Sequence, residues 1–142
     1  ANAQSISGTS PRFTIPEPGF EEDGDLTEVR AIEIATGREK WRYTQRAPNA
    51  GSTLATGGNV VFFGDLNRRF RAFDGETGEV LWETILGSQI TGYPVTYTAE
   101  GRQYLTVPVG GGLGQSRLSN YAPELEAPSG TSNMLVTFAL QP

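Results

Sequence analysis

The sequence contains no cysteine and no histidine among its 142 residues. These absences exclude disulfides, Cys- or His-ligated zinc sites, thiolate nucleophiles and histidine acid–base catalysis. No run of apolar residues approaches the roughly 18–20 that a transmembrane helix needs. Basic residues are outnumbered, with 11 Lys and Arg against 16 Asp and Glu. Nucleic acid is therefore not expected as a partner, because binding to phosphates needs a clustered basic surface.

Glycine and proline are abundant, with 18 Gly and 9 Pro, and such a composition favours turns and β-structure over helices. The hydrophobic content of 37% is enough for one modest core. Residues 1–25 are predicted to be irregular, and the acidic run at 21–25 is expected to be a solvated loop. A calcium loop is the alternative for this run, but the spacing of an EF-hand is missing.

An eleven-residue pattern occurs twice, as AIEIATGREKW at 31–41 and as AFDGETGEVLW at 72–82. The copies align without a gap and are 41 positions apart, which is the interval of a four-stranded propeller blade. Each copy predicts a strand, a tight turn at Thr-Gly and a returning strand that ends in Trp. We expect Gly37 and Gly78 to have positive φ angles, and we expect Trp41 and Trp82 to pack against neighbouring blades.

The remaining strands follow from alternation and turn residues. They are predicted at 26–35, 40–45, 52–56, 60–64, 69–73, 80–85, 93–97, 103–109 and 133–140. Pro94 and Pro108 are expected at strand ends or edges, because each lacks a ladder donor. The basic cluster of Arg68, Arg69 and Arg71 is predicted to be a solvated hairpin tip. These strands form about two and a half blades, so we expect the rest of a ring to come from a longer protein or a partner chain.

The pattern Ala-x-Asp/Glu-x-x-Thr-Gly-x-x-x-Trp resembles the tryptophan-docking motif of quinoprotein dehydrogenases, which carry pyrroloquinoline quinone (PQQ) on a β-propeller. Residues 51–65 resemble the segment that follows a docking motif in PQQ-dependent alcohol dehydrogenases, and residues 94–112 resemble their C-terminal blade. The resemblance implies an all-β fold, with a partial β-propeller of four-stranded antiparallel blades over residues 26–142. It also implies the C-terminal part of a periplasmic enzyme that oxidises an alcohol or sugar and can pass electrons to a cytochrome-type acceptor.

The resemblance also implies which loops bind the cofactor. Asn49, Ala50 and Gly51 fall where related enzymes place a polar or aromatic residue beside the quinone. Gly112 and Leu113 end a glycine run whose backbone amides can approach an anionic tricarboxylate closely, and Leu113 stands where methanol dehydrogenases often carry Trp. A calcium or lanthanide ion is expected in the complete protein, with ligands outside this chain. No catalytic residue and no metal ligand are assigned, because the vicinal Cys pair and Asp base of the family have no counterpart here.

Two other functions stay open at this level. Similar repeats occur in propellers of outer-membrane assembly, which bind no quinone, so a non-enzymatic scaffold or binding module is the first alternative. A free-standing β module that dimerises through its open sheet edges is the second.

Overall fold

Three antiparallel sheets form the computed structural model, which describes residues 24–111, 118–125 and 132–140. The strands are β1 Thr27–Ile32, β2 Glu39–Gln45, β3 Leu54–Ala55, β4 Val60–Gly64, β5 Arg69–Asp74, β6 Val80–Ile85, β7 Val95–Ala99, β8 Arg102–Val109 and β9 Met134–Ala139. Most of the predicted irregular segment at 1–25 lies outside the described residues. No helix within the described ranges is long and apolar enough to cross a membrane.

The sheets follow the predicted blade order. β1 and β2 form a hairpin, β3 to β6 form a complete four-stranded meander, and β7 to β9 form a three-stranded sheet. This is the predicted all-β, partial β-propeller of antiparallel blades. We call the three sheets the first, second and third blades. Pro94 directly precedes β7, and Pro108 lies beyond the last residue of β8 that pairs with β7, as expected for residues without a ladder donor.

The Thr-Gly turns have the predicted backbone conformation, since φ is 71° at Gly37 and 74° at Gly78. In the second turn, the Oδ1 atom of Asp74 accepts the backbone N–H groups of Glu76 at 2.8 Å and Thr77 at 2.9 Å. In the first turn, the longer side chain of Glu33 instead accepts the hydroxyl of Thr36. An aspartate is thus the better length for satisfying the amides of this turn.

Trp41 joins the first blade to the second. Its side chain is only 9% exposed and lies in a cluster with Val29, Phe63 and Phe73. The indole Nε1–H donates to the backbone oxygen of Gly75 at 2.9 Å. Gly75 belongs to the Thr-Gly turn of the following repeat, and we call the two Thr-Gly turns, at 33–37 and 74–78, the docking turns. The predicted packing of this Trp against a neighbouring blade is therefore confirmed.

Trp82 makes a different contact. Its side chain is 40% exposed, and its ring lies edge-on to Phe70 at 6.2 Å and to Phe138 of the third blade at 5.3 Å between centroids. The predicted packing of Trp82 against a neighbouring blade is therefore present, through Phe138, but it leaves the ring more exposed than that of Trp41. The physical reason is that the described residues of the third blade include no Thr-Gly turn to receive the Trp82 indole.

The cluster of three arginines is not the solvated hairpin tip that its charge predicts. Arg71 is 6% exposed and points from β5 towards the first blade. Its Nη1 group donates to Asp65 Oδ2 at 2.8 Å and to Gln45 Oε1 at 2.7 Å, while its Nε donates to Glu83 at 2.6 Å. Alternation along β5 places Arg71 inside the interface between blades, and these hydrogen bonds satisfy its buried charge.

An apolar core fills the other interface. Phe70 from β5, Leu86 and Ile90 from the following connection, and Val107 and Val109 from β8 form one buried cluster. The face of β5 opposite Arg71 thus packs on the third blade. Because this connection is buried in the core, its backbone is fixed close to the end of β8.

Candidate functional site

Four connections between strands meet on one face of the blades. The backbone N–H of Leu66 donates to Pro48 at 3.0 Å, that of Ile90 donates to Asp65 at 3.1 Å, and that of Gly110 donates to Gln89 at 2.8 Å. β5 starts on this face and ends at Asp74, in the docking turn. The docking turns therefore lie at the opposite end of the same strands. We call the face formed by residues 46–51, 65–68, 86–92 and 110–111 the loop face.

The predicted residues Asn49, Ala50 and Gly51 lie on the loop face. Asn49 is half-buried, and its Nδ2 group is 3.4 Å from the backbone oxygen of Gly51. A Cβ atom on Gly51 would lie 2.8 Å from the backbone oxygen of Gly92, at the start of the third blade. Glycine is needed there because two blades approach each other through their backbones.

Ala50 faces an apolar neighbour instead of open solvent. It packs on a cluster formed by Leu66, Leu118 and Ala122. Residues 118–121 are helical, and this short element follows the glycine run in sequence. It therefore returns from the third blade to cover part of the loop face beside Ala50.

The other predicted loop begins at Gly110, which is buried. A Cβ atom there would overlap the side-chain carboxamide of Asn133, at the start of β9, so the backbone passes closely under that side chain. Gly112 and Leu113, the predicted contact residues, lie outside the described residues. A cleft of about 510 Å³ opens beside Gly110 and is lined by Thr91, Pro108, Val109, Asn133, Met134 and Leu135.

Buried polar groups on the loop face lack partners. Gln89 is 0% exposed, yet neither atom of its side-chain amide forms a hydrogen bond, and the same holds for Ser88 Oγ and Arg68 Nε. Arg68 also has a positive φ of 67°, a conformation that costs energy in a residue other than glycine. Unpaired buried donors and acceptors are rare in proteins. Their concentration here, beside close-approaching glycine backbones, fits a polar ligand with several oxygen atoms.

Arg46 ties three segments together at the edge of this face. Its guanidinium donates to the backbone oxygen of Gly24 at 2.8 Å, to that of Tyr121 at 2.7 Å and to the Glu124 carboxylate at 2.6 Å. The hydrogen bond from Arg46 holds the pKa of Glu124 below its ordinary value. Sequence reasoning missed this residue because its partners Tyr121 and Glu124 lie 75 and 78 positions away.

The 41-residue repeat could have identified further residues of the face. It superimposes Gly51 on Gly92 and Ala50 on Thr91, and Thr91 lines the cleft. Across 24–111, 118–125 and 132–140, no group of three or more acidic side chains is placed to hold a metal ion.

A family model described as the β-propeller domain of PQQ-dependent glucose, ethanol and alcohol dehydrogenases matches residues 44–105. That match covers the second blade and the loop-face connections at 46–51, 65–68 and 86–92. A curated relative, subunit 1 of the cytochrome c-linked methanol dehydrogenase of Methylobacterium organophilum, is 40% identical over 87 residues. This chain is similar to quinoprotein alcohol dehydrogenases over these residues.

The extent of the match is limited. It covers 61% of this chain but 14% of the Methylobacterium protein, so this chain spans about a seventh of the length of that relative. A quinohemoprotein alcohol dehydrogenase from Pseudomonas putida HK5 is 35% identical, with a TM-score of 0.56 over 60% of this chain and 12% of its own. A europium-containing methanol dehydrogenase reaches a TM-score of 0.66 over 80% of this chain and 23% of its own, at 24% identity, which supports the propeller fold.

Proposed function

We propose that this chain is part of a PQQ-dependent dehydrogenase that oxidises an alcohol. The observation that carries the proposal is the group of buried polar atoms without partners among the described residues, at Arg68, Ser88 and Gln89. They lie on the loop face, to which the family resemblance assigns the cofactor. The match to the family model covers residues 44–105, which include the connections at 46–51, 65–68 and 86–92. A sugar is the second substrate class that the family resemblance permits.

The residues of the loop face fit a role in binding and orienting the cofactor. PQQ supplies the redox chemistry when bound, by taking up a hydride from the alcohol. Asn49 offers a side-chain amide, Gly51 offers backbone without a side chain, and Ala50 offers an apolar side chain on this face. The family resemblance adds Gly112 and Leu113 to the expected contacts. The orphaned amide of Gln89 adds hydrogen-bonding capacity on the same face. These groups orient a ligand and exclude water, and none of them is a base.

The other parts of the proposed enzyme lie outside this chain. We infer that further blades close the ring, that they supply the ligands of a calcium or lanthanide ion, and that the enzyme works in the periplasm with a cytochrome as electron acceptor. The alternative is a non-enzymatic scaffold propeller. The unpaired buried polar groups of the loop face favour the enzyme, because such groups are rare in proteins and a polar ligand would satisfy them.

The experiment is reconstitution of the complete protein that carries these blades. It is mixed with PQQ and either calcium or a lanthanide, and cofactor binding is followed by absorbance and by quenching of tryptophan fluorescence. Dye-linked oxidation is then measured with a series of primary alcohols and with glucose. We expect stoichiometric binding and oxidation of alcohols. A folded ring that binds no quinone would instead support the scaffold.

A further inference from the structure

Residues 118–125 cover the loop face although they lie between β8 and β9 of the third blade in sequence. Leu118 and Ala122 are fully buried against Leu66, and Leu26 and Ala50 pack around them. This segment therefore contacts the entry of the first blade, the β4–β5 turn of the second blade and the predicted cofactor loop at once. We call residues 118–125 the return segment.

The apolar contact of the return segment is small. Only Leu118 and Ala122 of this segment are fully buried, and its helical part is a single turn. One helical turn is unstable by itself in water, since most helix stability comes from tertiary contacts. Additional polar contacts are needed to hold it in one place.

Arg46 supplies those contacts. Its guanidinium donates to the backbone oxygen of Tyr121 at 2.7 Å and to the carboxylate of Glu124 at 2.6 and 3.5 Å, and it also donates to Gly24 at 2.8 Å. The side chain of Arg46 is 23% exposed, against 51% for Glu124. A largely buried, forked guanidinium with three partners constrains position far better than an exposed ion pair does.

We propose that Arg46 is a positioning residue that fastens the return segment over the loop face and thereby fixes the wall at Ala50. The inference rests on the proposed function, because the wall matters only if the loop face holds the cofactor. Asn49, Ala50 and Gly51 directly follow Pro48, whose backbone oxygen is bonded to Leu66. Loss of the Arg46 contacts frees the return segment, uncovers Leu66 and loosens the loop that contains Asn49.

The test uses the complete protein with Arg46→Met, which keeps an apolar stem but removes every hydrogen bond of the guanidinium. Hydrogen–deuterium exchange is measured in peptides from the return segment. We expect exchange there to rise at least about tenfold, because a hydrogen bond to a charged group contributes enough to shift an equilibrium by that factor. Arg42→Met is the matched control, since Arg42 lies on β2, outside the loop face, and pairs with Glu28 of β1 and Glu39 of β2.

The second measurement is the release rate of PQQ, followed by recovery of tryptophan fluorescence after dilution into excess competitor. We expect PQQ release to be at least about tenfold faster in Arg46→Met than in the wild type, because the same hydrogen bonds are lost. In Arg46→Lys we expect a release rate between those two values, because lysine keeps the charge but lacks the forked guanidinium. If Arg46→Met does not fold, Glu124→Gln is used instead, because it removes the ion pair by changing the more exposed partner. We expect it to raise both hydrogen–deuterium exchange in the return segment and the rate of PQQ release.

The outcomes separate the two proposals. Unchanged exchange in the return segment would overturn the role of Arg46 whether or not quinone binds. Raised exchange with unchanged PQQ release would show that the return segment is fastened by Arg46 but does not form the wall, and would also overturn the inference. A wild-type protein that binds no PQQ would reject the proposed function, while the exchange result would still report on the contacts of Arg46.

Discussion

The indole ring of Trp41 lies against Gly78, a glycine of the next repeat. A Cβ atom on Gly78 would be 2.7 Å from the ring, so the absence of a side chain creates the surface on which Trp41 rests. The contact joins two residues that the repeat alone marks as a turn glycine and a strand aromatic. The spacing of glycine and Trp that the two copies share thus places the Trp of the first copy on the turn glycine of the second.

Trp41→Ala is expected to lower the free energy of unfolding of the 142-residue chain by about 3–5 kcal/mol, the range for emptying a large buried aromatic site. Trp82→Ala is the matched comparison. It should cost less than Trp41→Ala, because the Trp82 side chain is 40% exposed and buries less apolar area. Urea titrations of both variants test the order. Equal losses would contradict the difference in docking.

Gly78→Ala is expected to destabilise more than Gly37→Ala. Both glycines have positive φ angles, so Ala should cost roughly 1 kcal/mol at each from backbone strain. At Gly78 the added methyl also collides with the Trp41 ring, whereas at Gly37 it meets no atom of the described residues within 4 Å. Urea titration and the emission maximum of tryptophan report the two effects. Equal losses at the two positions would show that backbone strain alone decides.

Asp65→Ala is expected to cost about 3–5 kcal/mol, since it removes one partner of a buried charge. Asp65 is fully buried, and its carboxylate pairs with Arg71 at 2.8 Å. Glu76→Ala breaks the exposed pair with Lys40 and should cost much less than Asp65→Ala, because solvent screens exposed ion pairs. Thermal and urea unfolding distinguish the variants. A neutral Asp65→Ala would mean that Gln45 and Glu83 satisfy Arg71 without Asp65.

Asp74 is expected to make stability depend on acid pH. The backbone N–H groups of Thr77 and Glu76 hold the pKa of Asp74 below its ordinary value in the folded chain. Its carboxylate therefore stabilises the fold above the unfolded pKa of about 3.9, and this contribution is lost as pH falls through the lower folded pKa. Asp74→Asn should flatten that acid limb in urea midpoints measured from pH 6 down to about pH 2. Parallel limbs would exclude the effect.

The sequence was sufficient to predict what depends on local pattern. The bounds of β4 and β6 and the positive φ angles of Gly37 and Gly78 agree with the structure, because turn chemistry and strand alternation are set by neighbouring residues. The order of the blades also followed, since the repeat fixes strand direction. The contact residues proposed for the cofactor remain predictions, and two of them, Gly112 and Leu113, lie outside the described residues.

Other features depended on partners far along the chain. The sequence around Arg71 predicts a charged hairpin tip, but the side chain is buried and donates a hydrogen bond to Gln45 of another blade. Arg46 carries no motif, and its role follows from a segment 75 to 78 residues later. Trp82 repeats the position of Trp41 without repeating its contact, because the third blade offers a phenylalanine, Phe138, where the second offers a glycine turn.

The contact of Trp41 with the following turn couples the first blade to the second. The turn at Asp74–Gly78 closes through its own backbone bonds, from Gly78 to Asp74 and from Asp74 to Glu79, and needs no help from Trp41 to do so. Trp41, by contrast, loses its hydrogen-bond acceptor at Gly75 if that turn opens. Local unfolding of the second blade therefore removes a partner of Trp41, and fraying of the first blade uncovers Phe63 and Phe73 of the second. The coupling free energy between the two blades is the same in both directions, so damage on either side of the contact lowers the stability of both blades.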